Sequence, residues 1–332
     1  MSPPLPLFHR FPLLLTGFFL AGTFAFAAAP TRPPNVIYIL ADDLGYGDLS
    51  CYGQKHFQTP NIDRLAAEGL RFTQHYSGTT VCAPSRSALL TGQHTGHTPV
   101  RGNLEIQPEG QHPLPAATVT LPKVLKPAGY VSGIFGKWGL GFPGSEGEPL
   151  RQGFDQFYGY NCQRLGHHYY PHHLWDGTRQ IVLEKNAGDL KGDYAPDLIH
   201  QRALAFIEQN RDRPFFCMVT SVIPHAEMFA PERYLARHRG KYGKETPYVG
   251  VDRGPEYRRG PYGSQPEPRA AFAAMVNVLD DQIGEIVAKV RALGLAENTL
   301  IIFTSDNGPH REGGHDPDYF NSSGGLRGTK RD

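Results

Sequence analysis

The chain has 332 residues, of which 39% are hydrophobic, and its 33 Lys and Arg side chains nearly balance its 32 Asp and Glu side chains. This length allows one large α/β domain or two ordinary domains with an ample core. Because the charge is balanced, there is neither a net basic field for nucleic acid nor an acidic tail, and we expect no nucleic-acid partner.

The first 29 residues have the pattern of a secretory signal peptide. His9 and Arg10 precede an apolar run over residues 11–26, and three alanines at residues 27–29 end it. The alternative, an uncleaved membrane anchor, is disfavoured because the run is short for a bilayer span and is broken by Pro12 and Gly17. We therefore expect residues 1–29 to be removed and the mature protein to be periplasmic or secreted, without stable membrane insertion.

The first predicted strand is a continuous run of β-branched and apolar residues, Asn35–Ala41. Such a run is typical of a strand that is buried on both faces in a parallel sheet. Asp42 and Asp43 follow directly, at the edge where open α/β sheets place their ligands. Since two adjacent carboxylates repel each other unless a cation or an arginine lies between them, the pair is a candidate cation site.

Residues 81–92 (VCAPSRSALLTG) predict a short helix that follows a loop. Pro84 suits the first helical position, and Gly92 suits the left-handed end of the helix. Cys82 then lies at the helix N-terminus, where free N–H groups and the dipole favour an anion, and Arg86 can reach back towards the same point. We expect Cys82 to be a reactive or modified residue rather than a packed one.

The rest of the chain contains hydrophobic patterns that predict further strands and helices, and one long segment in which no such pattern is seen. Residues 151–193 are rich in glycine, aromatic residues and histidine, and we predict an irregular segment that lines the substrate side of the site rather than a zinc site. The patterns predict strands over residues 70–76, 130–135, 214–221 and 300–304, and helices over residues 59–69, 121–126, 196–210 and 270–293.

Polar residues also follow three of the later predicted strands. Lys137 lies just past residues 130–135 between glycines, where a lysine can hold an anionic oxygen. His225 lies shortly after residues 214–221. Asp306 and Asn307 repeat the pattern of the first strand, so that four oxygen ligands indicate a hard cation, Ca²⁺ or Mg²⁺.

These motifs resemble those of the sulfatase family. The segment Cys-x-Pro-Ser-Arg with a downstream Leu-Thr-Gly is similar to the family motif whose cysteine a maturation enzyme oxidises to formylglycine. The segment Gly-Lys-Trp-x-Leu-Gly at residues 136–141 is similar to a second family motif. The resemblance runs from Asn35 to Asp332 and implies the alkaline-phosphatase-like α/β fold, with a mainly parallel sheet between helices, which the strand–helix alternation also favours.

The resemblance also implies a role for each candidate site residue. It implies that one cation, Ca²⁺ with Mg²⁺ as the alternative, is bound by Asp42, Asp43, Cys82, Asp306 and Asn307. It implies that Cys82, as formylglycine hydrate held by the cation and Arg86, attacks sulfur, that Lys137 and Lys330 bind sulfate, and that His225 protonates the leaving alcohol. Many family members have a histidine where this chain has Gly139, so the base for sulfate elimination is unassigned.

The activity implied is hydrolysis of sulfate esters, on a sulfated carbohydrate, after maturation by a formylglycine-generating enzyme. Three alternatives stay open: a phosphate or phosphonate ester hydrolase of the same superfamily, an inactive relative that binds sulfated glycans, and a fragment without activity. Family members continue past residues 325–332 with further strands and a small C-terminal domain. We therefore expect a catalytic domain over residues 30–332 that is incomplete at its C-terminus.

Overall fold

A computed structural model of the chain describes residue 1, residues 32–257 and residues 259–332. Apart from Met1, the predicted signal peptide lies outside the described residues. The strands are β1 (Asn35–Ala41), β2 (Glu105–Ile106), β3 (Gly110–Gln111), β4 (Val131–Lys137), β5 (Gln156–Tyr160), β6 (His173–Asp176), β7 (Arg179–Val182), β8 (Phe215–Thr220) and β9 (Thr299–Ser305). The helices are α1 (Pro60–Glu68), α2 (Cys82–Thr91), α3 (Leu121–Leu125), α4 (Ala195–Gln209), α5 (Glu232–Leu235), α6 (Gly254–Tyr257), α7 (Pro268–Ala292) and α8 (Pro317–Phe320).

Seven strands form one sheet in the order β7–β6–β5–β4–β8–β1–β9, and β2 pairs with β3 separately. The five strands β5, β4, β8, β1 and β9 are parallel to one another. β6 and β7 extend the sheet in antiparallel pairs. The mainly parallel α/β sheet expected from the sequence is therefore confirmed.

The two faces of the sheet are covered by different apolar clusters, because successive side chains of a strand point to opposite faces. In β8, Cys217 and Val219 pack in the cluster that contains the apolar residues of α4 and α7. Phe216 and Met218 pack in the other cluster, together with Ala83 of α2. All six residues of β8 are buried, which explains why the strand reads as a continuous apolar run.

The prediction of a strand over residues 70–76 is wrong, since this segment contains no regular structure. Leu70 and Phe72 are 86% and 60% exposed. β-Branched and aromatic residues favour a strand only where a neighbouring strand pairs with them and a face is buried, and no strand of the described chain pairs with this segment.

The prediction that residues 151–193 are irregular is wrong in part, because β5, β6 and β7 lie within them. Phe157, Tyr158 and Tyr160 of β5 are buried against the rest of the sheet. Aromatic residues that look like a ligand-binding loop therefore serve as strand residues here. In the part of the chain that the structure describes, no helix combines the length and the apolar character needed to cross a bilayer.

Candidate active site

Four adjacent strands of the sheet end at one edge, and each delivers predicted site residues there. Parallel strands that are neighbours in a sheet bring their carboxyl ends together, which is where open α/β sheets bind ligands. The residues are Lys137 at the end of β4, His225 after β8, Asp42 and Asp43 after β1, and Asp306 and Asn307 after β9.

Helix α2 brings Cys82 to this edge, although it begins two residues earlier than the sequence predicts. The helix starts at Cys82 itself, and the N–H of Ser85 donates to the carbonyl of Val81 at 3.0 Å. Pro84 is tolerated in the first turn because N–H groups there have no partner within the helix. The Sγ atom of Cys82 lies 3.3 Å from Oδ1 of Asp42.

Arg86 connects the α2 helix to two strand ends. Its guanidinium donates to the carbonyl oxygen of Lys137 and to Oδ2 of Asp306, both at 2.9 Å, and lies 3.6 Å from Oδ2 of Asp42. Arg86 and Asp306 are buried. Burial raises the pKa of Asp306 to about 7, and the nearby charge of Asp42 adds to this shift while Arg86 opposes it.

Lys137 and Asp42 form a buried ion pair at 2.6 Å. Burial alone would raise the pKa of Asp42, but the positive charges of Lys137, Arg86 and Lys330 outweigh it and hold the pKa below its usual value. The charge of Asp42 likewise overcomes the burial of Lys137 and raises the pKa of the ammonium group. Asp42 and Lys137 are therefore both ionised at neutral pH.

Asp43 occupies a left-handed backbone conformation with a φ of 66°. Such a conformation is uncommon for a residue with a side chain, and Asp is one of the residues that adopt it most readily. The backbone conformation of Asp43 is held by a hydrogen bond from its own N–H to Oδ1 of Asp306 at 3.1 Å. The carboxylate accepts hydrogen bonds from Lys330 at 2.7 Å and from Asn307 at 2.6 Å.

His225 lies beside the ion pair of Asp43 and Lys330, with its Nε2 atom directed at both charged groups. The distance from Nε2 is 3.1 Å to Nζ of Lys330 and 3.3 Å to Oδ2 of Asp43. Burial and the charges of Lys330 and Lys137 lower the pKa of His225 well below its usual value. The imidazole of the free site is therefore neutral, and Lys330 is the hydrogen-bond donor to it.

When all six charged groups of the buried cluster are ionised, their charges balance without a bound ion. The three carboxylates of Asp42, Asp43 and Asp306 face the three cations Arg86, Lys137 and Lys330, and all six residues are buried. A divalent cation would leave this cluster with a net positive charge. The site with its ion is therefore complementary to an anionic ligand.

The oxygen atoms of the cluster fit a hard cation. Oδ1 of Asn307 is buried and has no hydrogen-bond partner among the described residues, which is costly unless a ligand or an ion engages it. Carboxylate and amide oxygens are the ligands that Ca²⁺ and Mg²⁺ prefer.

Ligand atoms of Asp42, Asp43, Cys82 and His225 lie within 4.8 Å of one another. We do not count His225 as a ligand, because its Nε2 is engaged by the ammonium group of Lys330.

The environment of Cys82 disfavours a free thiolate. Burial, and after it the charge of Asp42, raise the pKa of the Cys82 thiol well above its usual value. The helix N-terminus favours an anion, but burial, and after it the charge of Asp42, acts in the opposite direction on the Cys82 thiol. An unmodified Cys82 in this arrangement is therefore a protonated thiol at neutral pH.

Cys82 lies at the bottom of a cleft of about 630 Å³. Lys137, His225 and Lys330 also line it. The other predicted site residues are joined to these by ion pairs and hydrogen bonds: Asp42, Asp43, Arg86, Asp306 and Asn307. The wall of the cleft also includes residues that were not individually predicted, among them Asn103, Gln163, His167, Tyr262 and Glu312. The cluster of histidines at residues 167–173 was a signal for this wall, but only the first of them lines the cleft.

Gly139, the position where the family pattern has a histidine, is filled from another segment. Its φ is 75°, and a Cβ atom built there would lie 1.7 Å from Nε2 of Gln163. The Gln163 amide group thus takes the space next to the backbone of Gly139. A larger residue at 139 would require both a strained backbone and movement of Gln163.

A buried carboxylate outside the ion cluster gives the protein a pH-dependent stability. Asp48 is fully buried, it accepts a hydrogen bond from the N–H of Gly45 at 2.8 Å, and burial raises its pKa to about 7. The unfolded chain releases this proton near pH 4, whereas the folded chain retains it up to about pH 7. The contribution of Asp48 to stability is therefore complete below pH 4 and is lost as the pH rises to 7.

We predict that the change in the free energy of unfolding caused by Asp48→Asn is more favourable at pH 8 than at pH 4.5 by roughly 2–4 kcal/mol. The reason is that the amide of the variant carries no charge at either pH, whereas the buried carboxyl group of Asp48 must ionise at pH 8. Urea unfolding of both proteins at the two pH values measures this difference. Burial also raises the pKa of Asp306. Because Asp306 is present in both proteins, its contribution to the pH dependence cancels in the comparison. An effect of Asp48→Asn that is equal at both pH values would contradict the prediction.

The fold and the site together define the class of the protein. A mainly parallel α/β sheet with a cluster of carboxylates and cations at its carboxyl edge is the arrangement of the alkaline-phosphatase-like fold. The sulfatase family model matches residues 34–331. The chain belongs to the sulfatase family.

Individual relatives support this assignment. Arylsulfatase A of Homo sapiens is 36% identical over 304 residues, which are 85% of this chain and 53% of that protein. N-acetylgalactosamine-6-sulfatase of Homo sapiens is 34% identical over 304 residues, 85% of this chain and 51% of that protein. The crystal structure of Ps i-CgsB in complex with k-i-k-neocarrahexaose is similar with a TM-score of 0.70 and 26% identity, over 86% of this chain and 61% of that chain. The chain thus spans about half the length of the curated relatives it matches.

Proposed function

We propose that the protein hydrolyses sulfate esters of a carbohydrate, with formylglycine formed from Cys82 as the nucleophile. The observation that carries the proposal is the cluster around Cys82: the cations Arg86, Lys137 and Lys330 and the oxygen atoms of a candidate cation site lie around one cysteine that lines an open cleft. A small anionic group matches this charge. The relatives named for sulfatase activity, and a structural neighbour with a bound oligosaccharide, support a sulfated sugar as the substrate.

The side chains have separate parts in the proposed reaction. Lys137 and Lys330 bind the sulfate oxygens with their ammonium groups, and Arg86 orients the hydroxyl group of the modified residue 82 towards sulfur. His225 and Lys330, 3.1 Å apart, together hold the proton that the departing sugar oxygen takes. The negative charge of a bound sulfate raises the pKa of His225 from its low value in the free site.

The cation and the modification complete this scheme. We propose that one Ca²⁺, or alternatively Mg²⁺, is held by Asp42, Asp43, Asp306, Asn307 and the modified residue 82. When bound, this ion withdraws charge from the sulfate and from the nucleophilic hydroxyl. A formylglycine-generating enzyme is the required maturation partner, and a predicted signal peptide before residue 30 agrees with maturation during export to the periplasm or the medium.

If His225 delivers the proton to the leaving group, His225→Asn will affect poor leaving groups most. We expect a loss of about 100-fold or more in kcat/KM on sugar or alkyl sulfates, because their alkoxides need a proton as they leave. On 4-nitrophenyl sulfate the loss will be much smaller, since nitrophenolate leaves without one. Parallel kinetics with the two substrates measure the difference.

His173→Asn is the matched control for this test. His173 is a half-buried histidine that contacts Glu109 at 2.8 Å and does not line the cleft. It should keep the rates of the parent protein on both substrates. An equal loss on both substrates in His225→Asn would contradict the role as proton donor.

Two other functions fit the same fold and remain the alternatives. A phosphate or phosphonate ester hydrolase would use the same cations, and it is distinguished by release of phosphate rather than sulfate. A binding protein for sulfated glycans would bind its ligand without turnover. The complete set of ion ligands around a modifiable cysteine favours the enzyme over the binding protein.

A further inference from the structure

The cleft wall carries one neutral imidazole whose second ring nitrogen is open. Nδ1 of His167 lies 3.2 Å from the carbonyl oxygen of Gly260. Because a carbonyl oxygen only accepts hydrogen bonds, Nδ1 carries the proton and Nε2 carries a lone pair. Within the described parts of the chain, Nε2 has no hydrogen-bond partner, and His167 lines the cleft that contains Cys82.

The ring of His167 stays neutral in this position. Burial, and after it the positive charges of Lys137 and Lys330, lower the pKa of His167 to about 3. Its surroundings also fix its place near the reacting groups. The backbone of Gly166 packs on the side chain of Lys137, since a Cβ atom built at residue 166 would lie 3.2 Å from Cδ of Lys137.

The other groups around Cys82 in the described structure are already engaged in ion pairs or hydrogen bonds. Arg86, Lys137 and Lys330 are cations, and each of the three carboxylates at the strand ends is tied to one of them. Nε2 of His225 already accepts from Lys330. The remaining acidic groups of the cleft, Glu105, Glu256 and Glu312, are paired with arginines of its rim.

The two imidazoles of the cleft stand side by side. The rings of His167 and His225 are stacked with 4.6 Å between centroids and 11° between planes. Glu227 braces the wall behind them: its N–H donates to the carbonyl of His167 at 3.2 Å, and its carboxylate accepts from the N–H of Gly263 at 3.0 Å. This bracing holds His167 in position before a substrate binds.

We propose that Nε2 of His167 is the proton acceptor that restores the aldehyde at residue 82 in the second half of the reaction. This inference rests on the proposed function. After sulfate has been transferred, residue 82 bears one sulfate ester and one hydroxyl group on the same carbon. The hydroxyl proton moves to Nε2, the oxygen forms the carbonyl double bond, the bond between carbon and the ester oxygen breaks, and sulfate leaves with that electron pair.

His167→Asn tests this role with little change in the wall. The asparagine amide can still donate to the carbonyl of Gly260, but the acceptor at the Nε2 position is lost. With the protein matured to formylglycine and 4-nitrophenyl sulfate as the probe, we expect a burst of about one nitrophenol per active site. Steady turnover should then be roughly 100-fold or more below that of the parent protein.

A second readout is independent of turnover. Intact-protein and peptide mass spectrometry of the stopped reaction should show one sulfate group attached at residue 82 in His167→Asn, and none in the parent protein. His172→Asn is the matched control, because His172 belongs to the same segment but contacts Gly188 outside the cleft. It should show neither the burst nor the adduct.

Three results would overturn the proposal. Unchanged turnover in His167→Asn would show that another group accepts the proton. Loss of the burst, without an adduct, would show that His167 acts only on the first step by supporting His225. The third result concerns the matured parent protein.

If thermal unfolding shows that His167→Asn is destabilised, His167→Gln replaces it with the same expected burst and adduct. A matured parent protein that releases no nitrophenol would overturn the proposed function itself, and this inference with it.

Discussion

Cys82→Ala should abolish sulfate release, with a loss of roughly 10⁴-fold or more, because removal of a nucleophile costs the whole covalent pathway. Cys82 lies at the N-terminus of α2, and its Sγ atom is 3.3 Å from Oδ1 of Asp42 in the buried cluster. Initial rates of sulfate release by the matured protein and the variant measure this loss. Parent protein produced without the maturation enzyme should resemble the variant.

Cys51→Ala is the matched control for the loss of a cysteine. Cys51 is half-buried and lies outside the cleft, and its side chain is not part of the ion cluster. It should retain the activity of the parent protein. Cys82→Ser, which keeps a hydroxyl group but no aldehyde, is a stricter version: full turnover by this variant without an aldehyde would contradict the formylglycine scheme.

Removal of the cation should cause the second large effect. We expect Ca²⁺ at about 100 times its dissociation constant to stabilise the parent protein by roughly 3 kcal/mol, because it binds the folded cluster and not the unfolded chain. Asp43→Asn should lose this increment, since it removes one carboxylate ligand from the buried site. Activity should fall by at least about 100-fold in Asp43→Asn and in the chelated parent protein, because a bound cation supplies several kcal/mol to such reactions.

Thermal unfolding with and without Ca²⁺ measures the increment within each protein. This comparison matters because Asp43→Asn also breaks the ion pair with Lys330, which changes the baseline stability. Asp318→Asn, at an exposed carboxylate that pairs with Arg311, should keep the full increment. A full Ca²⁺ increment in Asp43→Asn would rule out the assignment of this residue as a ligand. Repetition with Mg²⁺ distinguishes the two ions.

The sequence predicts the strand-end residues of the site well, and the reason is topological. Asp42 and Asp43 follow the largely buried run of β1, and Asp306 and Asn307 follow the apolar run of β9, which is only partly buried at the edge of the sheet. The parallel sheet brings the ends of such runs together whatever their separation along the chain. Lys137 is predicted for the same reason, since it ends β4. The start of α2 is less well predicted, because Pro84 is compatible with more than one position in the first turn.

Other parts of the site could not be predicted from local patterns. Lys330 lies in no strand or helix, and only the resemblance to the sulfatase family selects it. It contacts His225 across 105 positions of the chain. The open nitrogen of His167 depends on the carbonyl of Gly260, which belongs to a segment 93 residues away. Such contacts are properties of the folded wall and have no signal at the level of residue spacing.

The most direct test of the central claim is parallel measurement of sulfate and phosphate release by the protein co-produced with a formylglycine-generating enzyme. The aldehyde at residue 82 is first confirmed by mass spectrometry, and matched sulfate and phosphate monoesters are then supplied with Ca²⁺. We predict sulfate release that Cys82→Ala lacks, and little or no phosphate release. Phosphate release alone, or no release of either anion despite a confirmed aldehyde, would contradict the assignment as a sulfate ester hydrolase.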